Sequence, residues 1–240
     1  MTDPIVQLVE EELAWFREVR RNHPELFPNQ NNLYPIPFFG GIRRAEVLTL
    51  ALNPSRTEFA DDRHWPPHAL EAAFVAPMLT SRLLHYFDMP VPAMHRWFRQ
   101  FENALDDLHC SYHRNAAHID VHPLPTKFND ELGEAGRGTL GAAIEQRGAR
   151  HLVDILSLAP ELKLILVIDL WFNLAEGQPV CTFDYLSQRV QPIVPLVVEE
   201  GARPPIFRGG SPAEFEARVA ANRKPLREHR RHSRSLRFQG

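Results

Sequence analysis

A chain of 240 residues, 44% hydrophobic and 24% charged, has the makeup of a globular protein and room for one large domain or two small ones. Two cysteines, Cys110 and Cys181, exclude a disulfide framework and a four-thiolate iron–sulfur cluster. The net charge is −3, no apolar run approaches the roughly 20 residues of a membrane span, and the acidic start MTDPIVQLVEEELAW lacks a basic n-region. The expectation is a cytoplasmic protein without membrane contact.

The spacing of Ile5, Leu8, Val9, Leu13 and Phe16 predicts a helix over residues 4–21. A Pro-, Asn- and Gly-rich loop follows over 22–41, with its aromatic-proline run Tyr34–Phe39 expected to pack against the body. The near-continuous apolar run Val47–Leu52 reads as a strand buried on both faces of a parallel sheet. It ends at Asn53-Pro54-Ser55, where Pro54 stops the ladder. Two readings of that tripeptide stand side by side: a plain turn, and an amide presented at the strand's carboxyl end, where open α/β sheets bind ligands.

Helical patterns are expected at 69–87 and 92–108. In the second, Met94, Trp97, Phe98, Phe101, Leu105 and Leu108 form one apolar stripe, which is read as core. Ile119–Val121 predicts a short strand ending at His122-Pro123, residues 139–158 a helix, and Leu162–Ile168 another strand. The fourth strand has two candidates, Ile193–Val198, which Pro195 demotes to an edge, and Pro205–Arg208. Ser211-Pro212-Ala213-Glu214 then carries the cap, first-turn proline and capping-box Glu of a helix start, with Phe215, Val219 and Leu226 on its buried face. There are no repeats and no domain linker. The expectation is a single domain over 1–228 with a basic tail at 229–240: a three-layer α/β/α fold around a mostly parallel sheet of about four strands.

Several familiar sites are absent. No G-x-G-x-x-G or P-loop occurs. Gly209-Gly210-Ser211-Pro212-Ala213 lacks the second flanking glycine of a nucleophile elbow, so Ser211 reads as a helix cap. The spacing Cys110-x2-His113-x4-His118-x3-His122 matches no zinc pattern, and neither metal nor cofactor is expected. Gly209-Gly210 before the capped helix has two readings, an anion cradle at a helix N-terminus or an ordinary tight turn. Residues 223–240 hold seven Lys and Arg against Glu228 alone, a local charge of +6 that leaves −9 for the remainder. Such an arm suits nucleic-acid contact and equally suits a solvated terminus.

Three pieces thus follow in order: a strand ending in Asn53-Pro54-Ser55, a strand ending in His122-Pro123-Leu124-Pro125-Thr126, and Gly209-Gly210-Ser211-Pro212 opening a helix with Phe215, Ala220, Asn222 and Leu226. This order resembles the uracil-DNA glycosylase superfamily, over about residues 34–226. An uncharacterised bacterial branch of it is similar at Pro37–Gly40, Leu52–Arg56, His95–Phe98, Ser111-Tyr112 and Ala116–Asp120. The resemblance implies a uracil-DNA glycosylase-like fold and Asn53 as the catalytic residue, orienting water towards C1′ of a flipped-out nucleotide. It implies His122 as a base reader, with Phe38, Phe39 and Phe59 as candidate aromatic faces for the base, each otherwise plain core. Ser55, Gly209, Gly210 and Ser211, with Arg230 and Arg231 of the arm, are the candidate phosphate contacts.

The chain departs from the family pattern in four places. Asn53 stands where the main branch has an Asp and cannot take a proton. Gly209 replaces a His that stabilises the leaving base. Ala213 replaces an apolar wedge, and His122 replaces a base-reading Asn. The expected function is that of a DNA-repair N-glycosylase acting on uracil or a related damaged base, in damaged or single-stranded DNA. The alternatives are a non-catalytic DNA or nucleotide binder on the same fold and a small-molecule nucleoside or nucleotide hydrolase.

Overall fold

Asp3 and Pro4 start the first helix. In the computed structural model the Asp3 side chain accepts a hydrogen bond from the Ile5 N–H at 2.9 Å, and proline occupies the first turn, where its missing N–H costs nothing. The structure describes residues 2–24, 34–51, 54, 75–89, 95–125, 147, 150–152, 154–167, 171–173 and 179–181, together with positions 217, 220, 221, 223, 224, 227, 228 and 231. Helix α1 (Pro4–Asn22) buries Ile5, Leu8, Val9, Leu13 and Phe16, as their spacing predicts, and Val19 extends the same face. The same face also buries Glu12, which periodicity alone does not account for.

Strand β1 (Val47–Ala51) is the centre of a three-stranded parallel sheet, flanked by β2 (Ala116–Asp120) and β3 (Leu164–Val167) in the order β2-β1-β3. Every residue of β1 and β2 is buried. Successive side chains of a strand point to opposite faces, so both faces of this sheet are covered, and the fold is of the α/β class. Strand β2 starts three residues earlier than its apolar core suggests. Two alanines and His118 hide the pattern, and pairing with β1 overrides it.

The aromatic-proline loop closes the outer edge of β2. Phe39 and His118 exchange backbone hydrogen bonds at 2.7 and 2.9 Å, and Ile36 N–H donates to the Pro123 carbonyl at 2.8 Å. The segment thus satisfies polar groups that an open edge would leave to pair with another chain. It is followed by Gly40, at φ +89°, whose backbone lies against the Phe87 ring. A Cβ there would sit 2.8 Å from Phe87 Cδ2, so only glycine fits.

Helix α2 (Val75–Leu84) packs on α1 and runs into a 3-10 turn, Tyr86–Asp88. Within the predicted span 69–87, the described part thus begins at Val75. Helix α3 (His95–Asp107) ends in a Schellman arrangement: Cys110 N–H donates to the Leu105 carbonyl and His109 N–H to that of Asp106. The residue in the left-handed position is His109, at φ +57°, where glycine is usual.

Residues 147, 150–152 and 154–157 are helical, as expected over 139–158. An antiparallel pair, β4 (Trp171–Asn173) with β5 (Pro179–Cys181), follows β3. Neither was expected: three-residue runs give no usable period, and a leading proline argues against a strand. Both candidates for a fourth parallel strand lie outside the described residues. In the C-terminal region all eight described positions are helical, the last being Arg231, inside the stretch read as a tail. Among the described residues no helix is long and apolar enough to cross a membrane.

Candidate functional site at the carboxyl edge of the sheet

Parallel pairing brings two of the three sequence motifs to one edge. In register, Ala51 is the partner of Asp120, and the Val121 N–H donates to the Ala51 carbonyl at 2.9 Å. The chain leaves β1 towards Asn53-Pro54 and leaves β2 towards His122-Pro123 from adjacent strand ends. Pro54 and His122 are both buried. In a sheet of order β2-β1-β3 the connection from β1 runs to β2 and the next crosses back to β3, so the switch point where open α/β sheets form a ligand crevice lies between β1 and β3, at the carboxyl end of β1.

Of the candidate residues, Phe38, Phe39, His122 and Arg231 are described. Phe38 and Phe39 are both buried, in the segment that hydrogen-bonds along β2. The Phe39 ring packs edge-on against Tyr86 and Phe98, with centroids 4.6 and 5.2 Å away. Arg231 is helical and exposed. Asn53, Ser55, Phe59, Gly209, Gly210, Ser211 and Arg230 lie outside the described residues, as does the Gly209–Ser211 helix start. Two other arm residues are tied to the body: Arg227 Nε donates to the Asp107 carbonyl at the end of α3, and Arg223 lies 3.8 Å from the Asp107 carboxylate. Positive charge at a helix C-terminus is favourable in itself.

A polar chain of residues given no site role by the motifs lies directly behind this edge. Thr49 and His118 are register partners, and Asp120 follows His118 by two residues on the same strand face. Thr49 Oγ1 is 2.7 Å from His118 Nδ1 and 2.9 Å from the Tyr112 hydroxyl. His118 Nε2 lies 3.5 Å from Asp120 Oδ1. None of the four residues is more than 2% exposed. The Phe39 and Phe98 rings flank His118, with centroids 5.7 and 5.2 Å from the imidazole, and Phe87 stacks on Tyr112 at 4.4 Å.

Burial pushes the Tyr112 hydroxyl far above its ordinary value, outweighing the opposing Thr49 hydrogen bond, while the Glu102 and Asp120 charges raise it further. Tyr112 therefore remains a phenol and a hydrogen-bond donor. The sequence signal was present: His-x-Asp in a strand places two polar groups on one buried face, and Thr49 stands at the matching step of β1.

A second polar cluster lies away from this edge. Arg147 Nε donates to Glu12 Oε2 at 3.2 Å, while Arg147 Nη2 and His151 Nδ1 face Glu12 Oε1 at 2.8 and 3.3 Å as ion-pair contacts without hydrogen-bond geometry. Desolvation would raise the Glu12 carboxyl, but the polar contacts and charges of His151 and Arg147 outweigh it and hold the group below its ordinary value. Arg147 also lies over the Trp15 ring, 5.9 Å from its centroid. This cluster ties α1 to the helical residues around His151. Among the described residues no group of three His, Cys, Asp or Glu side chains is arranged to hold a metal ion. Comparison with protein-family models, with curated proteins and with solved structures gives no match.

Proposed function

We propose that this protein is a DNA-repair N-glycosylase of the uracil-DNA glycosylase type, with a central sheet of about four strands, which takes a damaged base out of DNA and hydrolyses its glycosidic bond. One observation carries the reading. The segments resembling the family's first and second motifs, Asn53-Pro54 and His122-Pro123, leave adjacent parallel strands at the same sheet edge, in the register Ala51 to Asp120. Motifs distant in sequence share a site in such enzymes, and the direct pairing of β1 with β2 brings these two strand ends within reach of one small ligand.

A flipped nucleotide leaves the stack at a cost of a few kcal/mol and needs a polar edge to read it and a positioned water to cleave it. His122 supplies one donor and one acceptor as a neutral imidazole, and Asn53 orients the water by hydrogen bonding. Ser55 and the Gly209–Ser211 turn, with Arg230 and Arg231, supply phosphate contacts from backbone N–H groups and positive charge. The reaction requires neither metal nor cofactor.

The test is a release assay over single- and double-stranded oligonucleotides bearing uracil, hypoxanthine, xanthine or mismatched thymine. Release of a free base, leaving an alkali-labile abasic site, is the expected result. DNA affinity with no release from any substrate would select the non-catalytic binder, and turnover of free nucleosides without DNA affinity the small-molecule hydrolase.

A further inference from the structure

We propose that Asp120 is the carboxylate of this site, the proton acceptor that Asn53 cannot be; the assignment rests on the glycosylase reading above. Asp120 is the last residue of β2, at the carboxyl edge. Its register partner Ala51 precedes Asn53 by two residues, a reach of at most about 7 Å. No other described carboxylate belongs to a strand of the parallel sheet.

The groups behind Asp120 are ordered to serve a negative charge. A carboxylate only accepts hydrogen bonds, so with Asp120 in that form the ring nitrogen 3.5 Å from it, His118 Nε2, is the one that would carry the proton. Nδ1 is then an acceptor and takes the Thr49 hydroxyl proton at 2.7 Å, leaving Thr49 Oγ1 to accept from the Tyr112 phenol at 2.9 Å. In that arrangement the Tyr112 and Thr49 hydrogen bonds are aligned towards His118, whose Nε2 faces Asp120 at 3.5 Å, and aligned hydrogen bonds reinforce one another in a low-dielectric surround. The rings of Phe39 and Phe98 beside His118 provide that surround. A purely structural need would be met more cheaply by apolar residues, because burying an ionisable pair is often no better than burying hydrophobic ones of similar volume.

In the reaction, the water oxygen forms a bond to C1′ as the C1′–N bond breaks and its electron pair leaves on the base nitrogen. The water proton passes to Asp120, and a proton from solvent or from Asp120 neutralises the departing base. The products are an abasic sugar with a C1′ hydroxyl and the free base. Before proton transfer, the same negative charge stabilises the oxocarbenium character that develops at C1′.

The test is single-turnover base release on the substrate that the wild-type protein cleaves, with DNA binding measured in parallel. Asp120→Asn should lower release by roughly 10²- to 10⁴-fold at unchanged DNA affinity. Asp120→Ala should regain part of its rate on addition of formate, which a merely structural residue would not show. A folded Asp120→Asn protein with wild-type release overturns this assignment alone. So does a folded Asp120→Ala protein without rescue. Absence of release from every substrate by the wild type overturns the glycosylase reading and this assignment with it.

Discussion

Replacing Glu12 by Gln removes one charge and little volume from the middle of α1. Glu12 is fully buried, and its carboxylate is held by two Arg147 nitrogens and by His151. Deleting one partner of a buried ion pair costs about 3–5 kcal/mol, because the remaining charge stays buried without compensation. The Arg147 side chain is 11% exposed and can recover some hydration, which places the expected loss near the lower end, about 3 kcal/mol. With a urea m-value of about 3 kcal/mol/M, the top of the usual range, the unfolding midpoint should fall by about 1 M at pH 7.

The pH dependence has a definite sign. Glu12 is depressed in the folded protein, so its stabilisation is full above the unfolded carboxyl value of about 4.3 and disappears as pH falls through the lower folded value. Asp154 acts in the opposite sense: desolvation raises it, against Arg150, but its partly exposed side chain makes the contribution small. Urea titrations of wild type and Glu12→Gln at pH 7 and at successively lower pH should therefore converge on acidification. Equal midpoints at pH 7, or curves that remain parallel down to the acid transition, would refute the cluster as a stabilising lock.

Gly40→Ala should lose about 2–4 kcal/mol, combining a positive φ with a methyl group forced 2.8 Å from Phe87, and a thermal or urea shift under about 0.5 kcal/mol would contradict the packing. His109→Gly should gain about 0.5–1 kcal/mol in the same assays by relieving the left-handed position that closes α3, and a loss would show that the His109 side chain matters there. Deleting 229–240 should leave the fold intact, since the described anchors Arg223 and Arg227 are kept. The slope of log K against log[salt] should flatten by about 0.9 per lost phosphate contact on duplex DNA or about 0.7 on single strands. An unchanged slope would make the segment a solvated extension.

What the sequence disclosed follows from periodicity. The runs Val47–Leu52 and Leu162–Ile168 read as strands and contain the observed Val47–Ala51 and Leu164–Val167, and the helical spacing placed the end of α1 within a residue of its observed end. The hairpin Trp171–Asn173 with Pro179–Cys181 was illegible because its stability comes from cross-strand pairing, which no three-residue window contains. The same reasoning divides the site. Asn53-Pro54 and His122-Pro123 announce themselves as strand ends, and their adjacency was expected from topology. Tyr112, His118 and Asp120 fall in segments that carry the resemblance, but none suggests a role alone, and only the β1–β2 register joins them with Thr49 into a chain. Glu12 was missed for a similar cause, since its partners Arg147 and His151 come from more than 130 residues away. Long-range polar satisfaction is a property of the fold, and the linear sequence marks only the polar residue that sits where an apolar one belongs.

The most direct test of the central claim compares the wild type with Asn53→Ala in single-turnover release from an oligonucleotide carrying the cleaved base, alongside binding to the same DNA. The proposed function predicts release by the wild type, a loss of roughly 10²-fold or more in Asn53→Ala, and nearly equal affinity, because in that proposal Asn53 acts on water and not on phosphate. Equal loss of release and binding, or release undiminished by the substitution, would contradict the assignment of this edge as the reaction site.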